Sequence, residues 1–266
     1  MVRAPAVAGT FYPEDPQQLQ QQVQNHLAQG VPTTHRPKAL IAPHAGYIYS
    51  GPIAGSAYRT LAPIAEQIEK VILLGPAHRV AFQGVAAPHS THFRTPLGEV
   101  PIDQPLLQQV LSLPAIIQHD EPHRMEHSLE VQLPFLQQLL PHFTLLPLVV
   151  GQSTPETIAT LLDHCWGGRE TLIVISSDLS HYLPYEQAQQ LDQQSSTAIT
   201  TFHGEALVPE SACGRLPIQG LLQLTRRKRL TATTLDLRNS GDTAGDHARV
   251  VGYGAYLFYS GDTDEP

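Results

Sequence analysis

Thr171-Leu172-Ile173-Val174-Ile175-Ser176-Ser177-Asp178-Leu179-Ser180-His181 is the stretch that decides the fold. An apolar, β-branched run with no polar alternation is what a strand buried on both faces requires; here it breaks into small and acidic turn residues just before a histidine. The same arrangement occurs twice more. Leu40-Ile41-Ala42-Pro43-His44 runs into Ala45-Gly46-Tyr47, and Ile72-Leu73-Leu74-Gly75-Pro76-Ala77-His78 closes another apolar run. Strands are therefore predicted at 38–42, 70–74, 171–176 and 250–259, with further strands at 84–87, 143–150 and 230–237.

Helix-period segments separate these runs. Thr154, Pro155 and Glu156 read as an N-cap, a first-turn proline and a first-turn acid, with Ile158, Leu161 and Leu162 as the buried stripe. After Ser128, one helix face carries Leu129, Leu133, Leu136 and Leu140, and Pro134 begins or kinks that helix. Ile218, Leu221, Leu222 and Leu224 make another amphipathic stretch, and the Gln-rich segment 17–24 predicts a surface helix carrying Leu19, Val23 and Leu27. Strands alternating with helices imply an α/β fold with a mostly parallel or mixed central sheet flanked by helices. With no internal repeat and no Gly/Ser linker, residues 1–266 read as a single domain.

Charge is scarce and imidazole plentiful: of 266 residues, 15% are Asp, Glu, Lys or Arg, against 14 His and 2 Cys. Low charge would suit a membrane span, but no apolar run approaches the roughly 18 residues one needs. At 41% hydrophobic residues the chain is also too apolar for disorder. A net charge of -8 argues against a broad nucleic-acid face, and Arg226-Arg227-Lys228-Arg229 reads as the end of a helix, where cations meet the negative dipole end. Neither a nucleic acid nor a membrane is expected as a partner. No secretory pattern follows Arg3, and two cysteines build no disulfide framework, so the expected compartment is the reducing cytoplasm.

In open α/β sheets, ligands sit outside the carboxyl ends of the strands, so His44, His78 and His181 are expected to converge in one crevice. His26, His35, His142, His164 and His203 stand in polar or helix-surface contexts and are assigned to solvent. Glu126-His127-Ser128-Leu129-Glu130 opens an apolar helix, so Glu126 and His127 are candidates to bind substrate. Cys213 precedes another helix, whose positive end is expected to lower the thiol pKa, and it reads as a ligand, a nucleophile or a packed thiol. Cys165 reads as a packing residue of its helix. Imidazoles from His44 and His78 suit iron, copper or zinc, and a thiolate from Cys213 would select Cu(I), Zn or Fe(II) over Mg or Ca. Asp178 is placed to fix the His181 tautomer, leaving His181 as an acid/base. The same groups also suit a Cys-His hydrolase, with Cys213 as nucleophile and His181 as base.

At these residues the chain resembles the Memo-like proteins, also known as the B component of the AmmeMemoRadiSam system. The resemblance is carried by Arg3-Ala4-Pro5-Ala6-Val7-Ala8-Gly9-Thr10-Phe11-Tyr12-Pro13, Pro43-His44-Ala45-Gly46-Tyr47, Gly75-Pro76-Ala77-His78 and Thr95-Pro96-Leu97-Gly98. It continues in Glu126-His127-Ser128-Leu129-Glu130, Ser176-Ser177-Asp178-Leu179-Ser180-His181, Cys213-Gly214-Arg215 and Val250-Val251-Gly252-Tyr253-Gly254. It implies a domain similar to the catalytic subunit of class III extradiol dioxygenases, with His44 and His78 at metal-ligand positions, His181 at the acid/base position and Asp178 beside it. Cys213 stands where those dioxygenases have a carboxylate ligand. The resemblance also implies Fe(II) or Cu as cofactor, a redox role, and a radical SAM protein or phosphotyrosine peptide as partner.

The leading expectation is a metal-binding protein with iron or copper on His44, His78 and Cys213, and with His181 and Asp178 placed for proton or redox chemistry. The alternatives are an extradiol-type non-haem iron dioxygenase and a non-catalytic module that binds a small molecule, peptide or anion in the same crevice.

Overall fold

A computed structural model describes residues 1–261; residues 262–266 of the predicted 1–266 domain lie outside it. The first half of the chain runs β1 (Val2–Arg3), α1 (Pro16–Gln29), β2 (Ala39–Ala42), α2 (Tyr47–Arg59), β3 (Lys70–Pro76), β4 (Val85–Ala87), β5 (His92–Thr95), β6 (Gly98–Pro101), α3 (Gln104–Val110), β7 (Ile116–Gln118) and α4 (Glu121–Arg124). It continues through α5 (Leu133–Leu139), β8 (Thr144–Val150), α6 (Pro155–His164), β9 (Thr171–Ser176), β10 (His181–Leu183), α7 (Tyr185–Thr200), α8 (Arg215–Arg227), β11 (Leu230–Asn239) and β12 (Val250–Ser260).

The main sheet has nine strands in the order β10-β12-β2-β9-β3-β8-β4-β7, with β11 also paired to β12. Its centre, β2-β9-β3-β8, is parallel, and antiparallel neighbours flank it on both sides. Every residue of β2 and β9 is buried, which is why their sequences are apolar without alternation. The register brings the central strands to a common level, because Ala42 pairs with Ser176, Leu74 with Ile175 and Pro76 with Val150. All seven predicted strands are present, and β1, β5 and β6 form a second, three-stranded sheet that the sequence patterns did not suggest.

The helices start where their caps predict. The Thr154 side chain accepts from the Thr157 N–H at the head of α6, and Pro155 fills its first turn. Pro134 sits in the first turn of α5, preceded by a 3-10 turn over Glu130–Gln132. The basic cluster ends α8, and Lys228 pairs with Asp163 at 2.7 Å. Among the described residues no helix is long and apolar enough to cross a membrane.

The start of the chain is fastened beneath the main sheet. Arg3 donates to the carbonyls of His123 and Glu126 and pairs with Glu130. The buried Glu130 carboxylate also accepts from the Ala6 and Val7 N–H groups and the Tyr12 hydroxyl. Every oxygen of this buried anion therefore has donors, the condition for keeping a charge inside.

His26 corrects an expectation. Rather than facing solvent it is 8% exposed, held between α1 and α2 with its ring edge toward Tyr47 and neither ring nitrogen hydrogen-bonded. Two glycines of α2 make the room: a Cβ at Gly51 would lie 2.4 Å from the His26 Nε2, and one at Gly55 would lie 2.4 Å from the His26 carbonyl.

Burial pushes the His26 pKa down from 6.5 to about 4. The unfolded chain therefore takes up this proton first, and the residue's contribution to stability, complete above pH 6.5, is lost as pH falls toward 4. His26→Leu is expected to lose less stability on acidification than the parent, with the gap growing by about 2 to 3 kcal/mol between pH 7 and 4. Urea unfolding across that range checks it, and parallel pH profiles would refute it.

Candidate metal centre

His44 leaves the end of β2 behind Pro43 and is 1% exposed. Its backbone N–H donates to the Asp178 Oδ1 at 2.7 Å, which ties the turn after β2 to the turn after β9. Its ring Nδ1 lies 2.9 Å from the Ser176 Oγ. That hydroxyl gives its single proton to the Ser128 carbonyl and accepts from the Gln132 Nε2 at 2.7 Å, so toward His44 it acts as acceptor. The Nδ1 of His44 must then carry the hydrogen, and Nε2 keeps its lone pair.

His78 reaches the same tautomer through a different partner. Its Nδ1 lies 2.9 Å from the Glu126 Oε1, and its backbone N–H donates to Oε2 at 2.6 Å. The Glu126 Oε1 also accepts from the N–H groups of His127 and Ser128, both at 2.9 Å. Burial alone would raise the Glu126 pKa, but the bonds from His78 and Ser128 outweigh it and hold the carboxyl at about 2. As an anion it only accepts, so the His78 Nδ1 is the donor and Nε2 is free. Glu126, expected to touch substrate, lies instead beneath His78, 2% exposed and with both oxygens engaged.

Cys213 comes from the segment before α8, 169 residues from His44 in the chain, and its Sγ lies 3.3 Å from the His44 Nε2. The approach depends on Gly214, whose N–H donates to the Ser177 Oγ at 2.9 Å and where a Cβ would lie 2.6 Å from the Ser177 Cβ. The expectation of a lowered thiol pKa is overturned. Burial, with the neighbouring Asp178 second, pushes Cys213 up to about 12, because loss of water costs the thiolate more than the helix end returns.

Ligand atoms of His44, His78 and Cys213 all lie within 4.8 Å of one another. Donors bonded to one ion at about 2.0–2.3 Å sit roughly 3.5 Å apart, so the three need little contraction to share one. The group runs from a buried floor at His44 through a half-buried Cys213 to an exposed His78, which leaves one face open.

His127 stacks on His78, with ring centres 4.7 Å apart and planes 20° apart, and meets His44 edge-on at 5.4 Å. Its Nδ1 is buried, 3.3 Å from the Glu126 Oε1, and burial, only partly offset by Glu126, lowers its pKa to about 4. His181 opens β10, half-buried, its pKa lowered first by burial, with a bond to the Leu179 backbone opposing and the nearby His78 adding to the shift. Asp178 does not orient His181 as expected. Its carboxylate turns to the His44 backbone, and burial pushes its pKa up to about 7 against that bond. The supporting residues Ser128, Gln132 and Ser176 were not singled out for this role, because their signal is a meeting of three chain segments rather than a spacing.

A family model described as Memo-like protein matches residues 3–257. The MEMO1 family protein of Aquifex aeolicus is 37% identical over 270 residues, covering 97% of this chain and 99% of that one. The MEMO1 family protein of Sulfolobus acidocaldarius is 35% identical over 278 residues, covering 95% and 98%. Among solved structures, the crystal structure of uncharacterized protein JW3007 from Escherichia coli K12 is similar with a TM-score of 0.54 at 14% identity, over 84% of this chain and 100% of that one, a likeness of fold.

Glu126→Gln keeps the shape of the support under His78 but removes its charge. If the three donors hold an ion, chelator competition should show affinity for Co(II) reduced by about 10- to 100-fold. Unchanged affinity in a variant with the parent's melting temperature would show that the Glu126 charge does not strengthen His78 as a ligand.

Proposed function

The chain belongs to the Memo-like protein family, and we propose that it is a metal-binding protein in which His44, His78 and Cys213 hold iron or copper for a redox reaction. One observation carries the reading: three donor atoms within 4.8 Å, two of them on imidazoles whose supporting bonds leave Nε2 free. Mixed imidazole and thiolate donors favour iron, copper or zinc over magnesium or calcium. Of these, iron and copper supply a one-electron couple and open coordination positions when bound.

The chain's own residues have distinct parts in this reading. His181 is the acid/base group: its depressed pKa keeps it neutral at pH 7, so it first accepts a proton. His127, stacked on His78 and edge-on to His44, lines the substrate side of the site with its ring. Asp178 is a positioning residue, holding the turn that carries His44 through the backbone N–H. Both cysteines are free thiols, which suits the reducing cytoplasm we assign to the protein.

Metal analysis of protein purified without an affinity tag tests the assignment. The parent is expected to bind about one iron or copper per chain, and the His44→Ala, His78→Ala double variant to bind essentially none; equal contents would refute the site. A second check reads the thiolate directly. Co(II)-loaded parent should show a sulfur-to-cobalt charge-transfer band that Cys213→Ser lacks, and persistence of that band would remove Cys213 from the ligand set.

A further inference from the structure

Cys213 has a second side. Besides meeting His44, it lines a cleft of about 340 Å³ bounded by the loop after β3, the end of β8 and the start of α8. The walls are largely apolar, with Val80, Phe82, Val150, Leu216 and Pro217 among them. Polar side chains enter at only a few points. The Gln152 Oε1 accepts from the Gln83 Nε2 at 2.5 Å, and the other polar side chains of the lining are Arg215 and Cys213.

Arg215 is placed against local electrostatics. It is the first residue of α8, where a cation opposes the positive end of the helix, and the first turn has neither an acidic residue nor a side-chain cap. Its one side-chain contact among the described residues is a 3.3 Å bond to Gln219, and no carboxylate pairs with it. A half-buried arginine opening α8, on the wall of an apolar cleft, calls for an anion with a hydrocarbon body. The volume is at the low end for ligand pockets, which favours a compact ligand. A planar carboxylate is the anion that a guanidinium fork matches.

We propose that this cleft is the substrate pocket of the metal centre and takes a compact apolar monocarboxylic acid, with its carboxylate on Arg215 and its hydrocarbon body against Val80, Phe82 and Leu216. The opposite end of the molecule then lies at Cys213, beside the proposed metal. The placement at a metal rests on the reading given under Proposed function; the cleft and its preference for an acid do not.

The test uses 3-cyclohexylpropionate, its primary amide and inorganic phosphate. Calorimetry on metal-free protein is expected to show the acid binding about tenfold more tightly than the amide, the value of one charge-assisted contact. Arg215→Gln should erase the difference, and Leu216→Trp should block both ligands. In Co(II)-loaded protein the acid should shift the cobalt spectrum, and should fail to do so in Leu216→Trp. Equal affinity for acid and amide, a preference that survives Arg215→Gln, or phosphate binding as tightly as the acid would overturn the proposed ligand. Acid binding without any change in the cobalt spectrum would overturn the link to the metal. The two readings fail separately. Normal metal content without acid binding removes the cleft proposal alone, whereas acid binding in a protein that keeps its metal after His44→Ala and His78→Ala removes the metal site alone.

Discussion

Because Ala42 pairs with Ser176 and Leu74 with Ile175, the strands that lead to His44, His181 and His78 leave the sheet at one level. A slip of one residue in any of them would turn its side chains to the other face and move its histidine out of reach. At that level sits the Ser176 hydroxyl, bonded at once to Ser128, Gln132 and the His44 ring. Three chain segments that are remote in sequence therefore converge on one oxygen. The orientation of the buried imidazole follows from the sheet's register rather than from any local preference of the residues around it.

Support is divided between two kinds of partner. His44 is held by a neutral hydroxyl and His78 by a carboxylate, so the two rings present the same tautomer through partners of different charge. The carboxylate is kept ionised by the bond from the His78 ring and by the backbone N–H groups of His78 and Ser128, and its position is set in part by Arg3, which bonds the Glu126 carbonyl from the far end of the chain. Charge enters this interior only where donors were already arranged to receive it.

The central strands were legible because a strand buried on both faces leaves a continuous apolar run, and the placement of the histidines followed from where such strands end. The small sheet was not. β1 has two residues, and β5 and β6 have four each with partial exposure, too short for a period to register. His26 was misplaced because its helix is polar in composition, and the space that buries it is made by Gly51 and Gly55 on another helix. Asp178 and His181 are three residues apart, yet the carboxylate accepts from the His44 backbone in the turn after the neighbouring strand. The Cys213 pKa was misjudged for a related reason: a helix terminus is visible in sequence, whereas the loss of water around a thiol packed against three other segments is not. Spacing along the chain reports neighbours on one element, and much of this site's chemistry is set between elements.

The 169 residues that separate His44 from Cys213 also bear on how the protein comes into being. During synthesis the two histidines emerge early, but the thiol that completes the trio follows only after β8, α6, β9 and α7 have been made. β12, which pairs with both β2 and β10, arrives later still. Contacts of such long sequence separation close late in folding, after the entropy of intervening loops has been overcome. A nascent chain thus presents two imidazoles without the sulfur, and the three donors come together in the finished protein rather than in the ribosome-bound one. The order of elements along the chain sets when the donor group is complete.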